Sequence, residues 1–263
     1  MFAANLPKPL DWVDEATGGA RSLLIGTAIA DANGIWLTQF FNPGLWDFAS
    51  LDSTAPGPGP NSTPDIVGAD GLLAPQFEDA AYAVADNKVR IAGETIRRTT
   101  YQTLYRIERP LRLASGSYGV TGDGWMSAYA RFYEFAGAGP GAVKVTVSRA
   151  AWGGEDVPGN VEIRVLPLSW TGPHNVQEGK LVTGSPLAVE RVVIHTRQIV
   201  EFLIPVPGPP FAVDITVDPT FSPADLGGGD ARQLGVQPAV EYLPGRRLSK
   251  IVEREVSPAQ IPQ

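Results

Sequence analysis

Residues 143–148 are VKVTVS, a stretch in which every second residue is valine and the residues between are polar. Residues 211–218 (FAVDITVD) repeat the pattern, and weaker versions occur at 161–165, 200–204 and 234–242. Successive side chains of a β-strand point to opposite faces of a sheet, so a period of two predicts strands with one buried face and one solvated face. The chain beyond Leu111 is therefore predicted to be almost entirely β.

Glycine and proline separate these strands, with 29 glycines and 24 prolines among the 263 residues. Many short strands joined by such turns favour an antiparallel β-sandwich of jelly-roll type over a helical bundle. The first hundred residues differ from the rest. Asp11 is a predicted cap for a short helix that ends at Gly18-Gly19, and the apolar run at 22–30 (SLLIGTAIA) is typical of a strand covered on both faces.

The predicted fold class is therefore mainly β with a small α/β part. It divides into a small α/β layer domain over residues 1–110, a jelly-roll β-sandwich resembling carbohydrate-binding modules over 111–244, and a flexible tail over 245–263.

Charge and composition exclude several classes of function. The net charge is −7, and basic residues occur in pairs at most, so we expect no nucleic acid partner, which would require a basic face. The absence of cysteine excludes disulfides and thiolate metal sites. No apolar run approaches the roughly 18 residues that a membrane span needs, so the sequence as given is expected to be soluble.

Catalytic signatures are absent from the sequence. His174 and His195 have no further ligand at metal-binding spacing, and residues 115–119 (SGSYG) lack the first glycine of a nucleophile elbow. The glycine-rich segments lack the lysine of a phosphate-binding loop. We therefore predict no catalytic residue, no metal and no cofactor.

Two groups of residues are candidates for sugar binding. In the first, glycines surround Asp123 in a tight turn and Trp125 follows. An aromatic ring covers the C–H face of a sugar while a carboxylate accepts hydrogen bonds from its hydroxyl groups. In the second, Asp230 and Arg232 have the same parity in an extended chain and together present acceptors and donors. Trp152, in a glycine-rich loop, adds a third aromatic candidate.

Each candidate also has a structural interpretation. For Trp125, the favoured interpretation is a core position beside an aspartate that caps its own turn. For Asp230 and Arg232, the favoured interpretation is a salt bridge that locks a loop.

Short motifs occur in a characteristic order, namely DWVD at 11–14, W-x3-FFN at 36–42, AYAV at 81–84, LYR at 104–106, DGW at 123–125, F-x-P at 221–223 and D-x-R-x-L-G at 230–235. This order resembles the C-terminal extracytoplasmic region of actinobacterial multi-spanning membrane glycosyltransferase-like proteins of the arabinosyl- and mannosyltransferase type. The resemblance implies that transferase chemistry lies in a membrane-embedded part absent from this sequence, and that the chain is extracytoplasmic and membrane-tethered in its native context.

The leading hypothesis is a noncatalytic accessory module of the cell envelope. It would bind an envelope glycan or a lipid-linked sugar acceptor beside a polyprenyl-phosphate-sugar glycosyltransferase. The first alternative is a structural module for protein–protein interaction. The second is a jelly-roll glycoside hydrolase, which requires two convergent carboxylates.

Overall fold

A computed structural model describes residues 10–26, 38–50, 66–86, 88–150, 156–175 and 178–255. The chain forms two compact units. Unit 1 comprises Met1–Tyr118 and Ser169–Val182, and unit 2 comprises Gly119–Leu168 and Thr183–Gln263. A segment of unit 1 thus interrupts unit 2, whereas the sequence suggested two consecutive domains. Within the described ranges, no helix has both the length and the apolar character needed to cross a bilayer.

Unit 1 contains a short helix and a five-stranded sheet in the order β2-β1-β3-β6-β5. Strand β1 pairs in parallel with β2 and β3, and the remaining pairs are antiparallel. All residues of β1 are buried, as predicted for a strand covered on both faces. The elements of unit 1 are α1 (Trp12–Thr17), β1 (Ser22–Gly26), β2 (Leu45–Ser50), a 3-10 turn (Pro75–Phe77), β3 (Tyr82–Asp86), β4 (Arg90–Ile91), β5 (Gly93–Arg98), β6 (Gln102–Ile107), most of β7 (Leu113–Val120) and most of β11 (Lys180–Thr183).

Helix α1 is capped by a residue distant in sequence. Asp11 occupies the predicted N-cap position and Gly18 the C-cap position, but the Asp11 side chain makes no hydrogen bond to the helix. The buried Asn42 instead accepts hydrogen bonds at its Oδ1 from the backbone N–H groups of Val13 and Asp14, at 3.0 and 3.1 Å. Its Nδ2 donates to two backbone carbonyl oxygens. Because the first N–H groups of a helix have no partner within the helix, this contact fixes α1 to the rest of unit 1.

Unit 2 contains two antiparallel sheets. Within unit 2, the first sheet contributes the neighbouring strands β12-β10-β14-β8, and the second sheet has the order β15-β9-β13-β16. Their strands are β8 (Met126–Glu134), β9 (Gly141–Ser148), β10 (Gly159–Thr171, which ends in unit 1), β12 (Ala188–Ile194), β13 (Ile199–Val206), β14 (Phe211–Asp218), β15 (Gln237–Pro244) and β16 (Val252–Glu255).

The core of unit 2 lies between these sheets. Alternate residues of β9 in the second sheet and of β10 and β14 in the first are fully or almost fully buried, and they belong to one hydrophobic cluster. The polar residues between them face outward. The two sheets therefore form a β-sandwich, and the inward parity predicted for 143–148 and 211–218 is confirmed.

Part of the predicted flexible tail joins the sandwich. Residues 252–255 form β16 and pair with β13, and Ile251 packs against the core. Arg254 forms an ion pair with Glu201, with 2.6 Å between Nη2 and Oε1. Apolar contact and charge pairing therefore hold this segment on the sheet, and residues 256–263 lie outside the described ranges.

Replacing Asn42 with alanine is expected to destabilise unit 1. Asn42→Ala leaves the N–H groups of Val13 and Asp14 without their acceptor in a buried position, and we expect the free energy of unfolding to fall by about 2–4 kcal/mol. Urea denaturation measures the change. Asn160→Ala is the matched control, because this exposed side chain makes one hydrogen bond to a backbone carbonyl. Equal losses in the two variants would contradict the capping role.

Candidate functional site

Four loops meet at one end of the unit 2 sandwich. They precede β8 (residues 121–125), join β9 to β10 (described at 149–150 and 156–158), join β12 to β13 (195–198), and join β14 to β15 (219–236). The antiparallel registers place them together, because the last residues of one strand pair with the first residues of its neighbour. We call this the loop end. The candidate site residues Asp123, Trp125, Asp230 and Arg232 lie in these loops, and the fifth candidate, Trp152, is outside the described ranges.

The two sugar-binding candidates form a single cluster at the loop end. Arg232 Nη2 lies 2.7 Å from Asp230 Oδ2 and 2.7 Å from Asp123 Oδ2. Its Nε also donates to both oxygens of Asp230, and its Nη1 donates to Asp123 Oδ1 at 3.3 Å. One guanidinium therefore joins two carboxylates that are more than a hundred positions apart in sequence, and we call these three residues the Arg232 cluster.

A tight turn presents Asp123 to Arg232. The backbone N–H of Thr121 donates to the carbonyl oxygen of Trp125 at 2.7 Å, and Gly124 adopts a φ of 85° that favours glycine. Thr121 Oγ1 donates to Asp123 Oδ1 at 2.5 Å. The loop on the other side is closed by two backbone hydrogen bonds between Phe221 and Leu234.

Both carboxylates of the Arg232 cluster are held in the ionised state. The hydrogen bond from Arg232 lowers the pKa of Asp123 to about 2, with a smaller contribution from Thr121. The same guanidinium lowers the pKa of Asp230, mainly through its hydrogen bonds. About half of the Asp123 and Arg232 side chains and a quarter of the Asp230 side chain remain exposed, at 49%, 46% and 25%. Oxygen atoms of fixed position and charge therefore face solvent.

Trp125 lies beneath the cluster rather than on the surface. It is 4% exposed and packs edge-to-face on Phe221, with 5.9 Å between ring centroids. Leu234 completes this small apolar cluster. The ring thus supports the loops of the Arg232 cluster and does not offer an open face to a sugar.

Arg149 is a residue of the loop end that sequence reasoning missed. It is 1% exposed, and its guanidinium lies 4.8 Å from the centre of the Phe221 ring. Nη2 donates to the carbonyl oxygen of Pro219 at 3.2 Å, whereas Nε and Nη1 have no hydrogen-bond partner among the described residues. Burial lowers the pKa of Arg149. The sequence did indicate that the Arg149 side chain points inward, because residue 149 continues the inward parity of residues 143, 145 and 147.

An exposed histidine–aspartate pair completes the loop end. His195 Nδ1 lies 2.6 Å from Asp156 Oδ2, and the backbone N–H of Thr196 donates to Asp156 Oδ1 at 2.9 Å. The contact with His195 lowers the pKa of Asp156. This pair connects the loop before β10 with the loop before β13. It therefore has a structural role in fixing the loop end.

The described part of the chain contains no group of three or more histidine, aspartate and glutamate side chains arranged to hold a metal ion. No protein-family model matches the sequence, and comparison with curated proteins and with solved structures returns no similar protein. The resemblance to the extracytoplasmic regions of glycosyltransferase-like membrane proteins therefore stays a prediction.

Proposed function

We propose that this chain is a noncatalytic glycan-binding module of the cell envelope that acts beside a polyprenyl-phosphate-sugar glycosyltransferase. The proposal includes an extracytoplasmic location, a jelly-roll topology for unit 2 and a small α/β layer in unit 1. The observation that carries it is the Arg232 cluster, in which one guanidinium holds two ionised, partly exposed carboxylates at the loop end of a β-sandwich.

The chemistry of the cluster suits neutral sugars. Asp123 Oδ2 accepts one hydrogen bond from the described residues, so Asp123 has an acceptor site beyond those that the protein uses, and its position is fixed before a ligand arrives. Sugar hydroxyl groups donate to such oxygens. Because few contacts are involved, each sugar binds weakly, and the output is the positioning of a glycan chain rather than tight capture.

Aromatic stacking is the second requirement for sugar recognition. Trp125 is buried and does not supply it. Trp152 stays a predicted contact, because it is outside the described ranges.

Glycoside hydrolysis fits the Arg232 cluster poorly. A hydrolase of this type needs one carboxylic acid that is protonated near neutral pH, which requires a raised pKa. Asp123 and Asp230 both have lowered pKa values for the same reason, their hydrogen bonds with Arg232. The pair therefore lacks a proton donor.

The second candidate function is a protein-interaction module in which the Arg232 cluster only locks the loops. The favouring observation is that Nε, Nη1 and Nη2 of Arg232 are all paired within the protein. A cluster satisfied in this way stabilises the loop end whether or not a glycan binds.

Titration with glycans tests the leading proposal. We expect oligo-arabinofuranosides or mannosides to bind with dissociation constants between about 0.1 and 10 mM, as weak glycan contacts dictate. Asp123→Asn should weaken binding about tenfold, because a charged acceptor is lost. Isothermal titration calorimetry or ligand-observed NMR provides the measurement.

The matched control is Asp225→Asn. Asp225 is an exposed carboxylate in the loop between β14 and β15 and does not contact Arg232. Its substitution should leave the affinity unchanged. Absence of binding by either sugar class at millimolar concentration, in a folded protein, would refute the proposal.

Arg232→Gln tests, independently of any ligand, whether the Arg232 cluster stabilises the loop end. Loss of the exposed ion pairs should lower the thermal midpoint at pH 7 by about 2–4 °C. The pKa of Asp123 is lowered from 3.8 to about 2 in the folded state, so its stabilisation is present above pH 4 and is lost as the pH falls through 2. The difference between wild type and variant should therefore shrink from pH 4 to pH 2, as followed by circular dichroism.

Arg247→Gln serves as the control for this measurement. Arg247 is exposed and has no ion pair in the described part of the chain. A pH-independent difference between Arg232→Gln and wild type would contradict the role of the two carboxylates.

A further inference from the structure

One edge of strand β12 is unpaired among the residues that the structure describes. The strand pairs with β10 over seven residue pairs, from Gly159↔Ile194 to Val165↔Ala188, and no other described strand pairs with it. Its sequence, AVERVVI, contains no proline, and the register has no bulge. Proline and β-bulges are two features with which proteins block sheet edges, and β12 has neither. Its backbone is therefore able to pair with a further strand.

The outward row of β12 is apolar at both ends. Val189 and Val193 point away from the core and are 38% and 49% exposed, and Leu187, two residues before Val189, is 43% exposed. The opposite row is anchored, because Ala188, Val192 and Ile194 contact the unit 2 core. The strand therefore presents apolar surface from a fixed backbone.

Positive charge is in excess at the centre of this row. Arg191 Nη2 lies 2.6 Å from Glu162 Oε2, and Arg164 Nε lies 2.5 Å from Glu162 Oε1. One carboxylate thus serves two guanidiniums, and 73% of the Arg191 side chain is exposed. A shallow groove of about 290 Å³ runs beside it, lined by Asn160, Val161, Glu162, Arg191, Val192 and Val193.

A second copy of the chain does not match this row. Residues that face each other across two paired strands point to the same side of the sheet. Against another β12, Arg191 would therefore meet only members of the outward row, which are leucine, valine and arginine. The excess positive charge at Arg191 therefore favours an acidic partner.

We propose that β12 receives an extended acidic segment of a partner protein as an additional strand. The segment places a carboxylate opposite Arg191 and apolar side chains at the alternate positions on either side, against Val189 and Val193. Backbone hydrogen bonds supply affinity, and the alternating side chains supply selectivity. This interaction is independent of the Arg232 cluster and of glycan binding.

Two synthetic peptides test the proposal. The first is labelled, blocked Thr-Val-Thr-Glu-Thr-Val-Thr, and the second carries lysine in place of glutamate. We expect the glutamate peptide to bind the full chain about tenfold more tightly than the lysine peptide, measured by fluorescence anisotropy at low salt. Hydrogen exchange should slow at the amides of residues 188–194 when the glutamate peptide is bound.

Charge reversal at the edge provides the decisive comparison. Arg191→Glu should reverse the preference, so that the lysine peptide binds more tightly. Arg191→Ala should make the two affinities equal without placing a second carboxylate beside Glu162. Arg246→Glu, at an exposed arginine outside β12, should keep the wild-type preference.

Four results of the peptide experiments would each overturn the proposal. They are no binding of either peptide at millimolar concentration, equal affinities for wild type, an unchanged preference in both Arg191 variants, and slowed exchange only outside 188–194. Concentration-dependent dimerisation that Arg191→Glu abolishes would also overturn it and would assign the edge to a second copy of the chain.

Discussion

The burial of one face of every core strand is the constraint on which unit 2 depends. Val143, Val145 and Val147 in one sheet and Val213 and Ile215 in the other are fully buried against each other. Each such side chain contributes about 1.5–3 kcal/mol relative to its exposed state. A slip of one residue would turn a whole row outward, so the registers are fixed, and with them the ends at which the loops emerge.

The position of the loop end follows from this constraint, and the inward row of β9 continues into it. Arg149 continues the inward row of β9 beyond the last strand residue, which places a cation where an apolar side chain would otherwise lie. Its stacking on Phe221, and the packing of Phe221 on Trp125, join the core to the turn of Asp123. The polar cluster at the surface thus rests on aromatic contacts beneath it, and its geometry is inherited from the sandwich.

The features of the fold that depend on local sequence periodicity were predicted from the sequence. Strand parity in 143–148 and the fully covered strand β1 are local signals, and both are confirmed. The Asn42 cap and the joining of Asp123 to Arg232 are not local, because they depend on chain segments that only the folded topology brings together. Trp125 had two interpretations, because the local sequence does not distinguish a tryptophan that packs in a core from one that is exposed on the surface. Its edge-to-face contact, a tertiary feature, places it inside.

The balance of charge distinguishes the two proposed binding surfaces. At the loop end, two carboxylates surround one guanidinium, which leaves one negative charge and spare hydrogen-bond acceptor capacity on Asp123. At β12, two guanidiniums surround one carboxylate, which leaves one positive charge and spare donors. A ligand rich in hydroxyl groups satisfies the acceptors of the first surface without a charge of its own. The excess positive charge at β12 is neutralised only by an acidic group, so neither partner can substitute for the other. Because the protein as a whole has a net charge of −7, a positive site at this sheet edge makes binding selective for acidic segments.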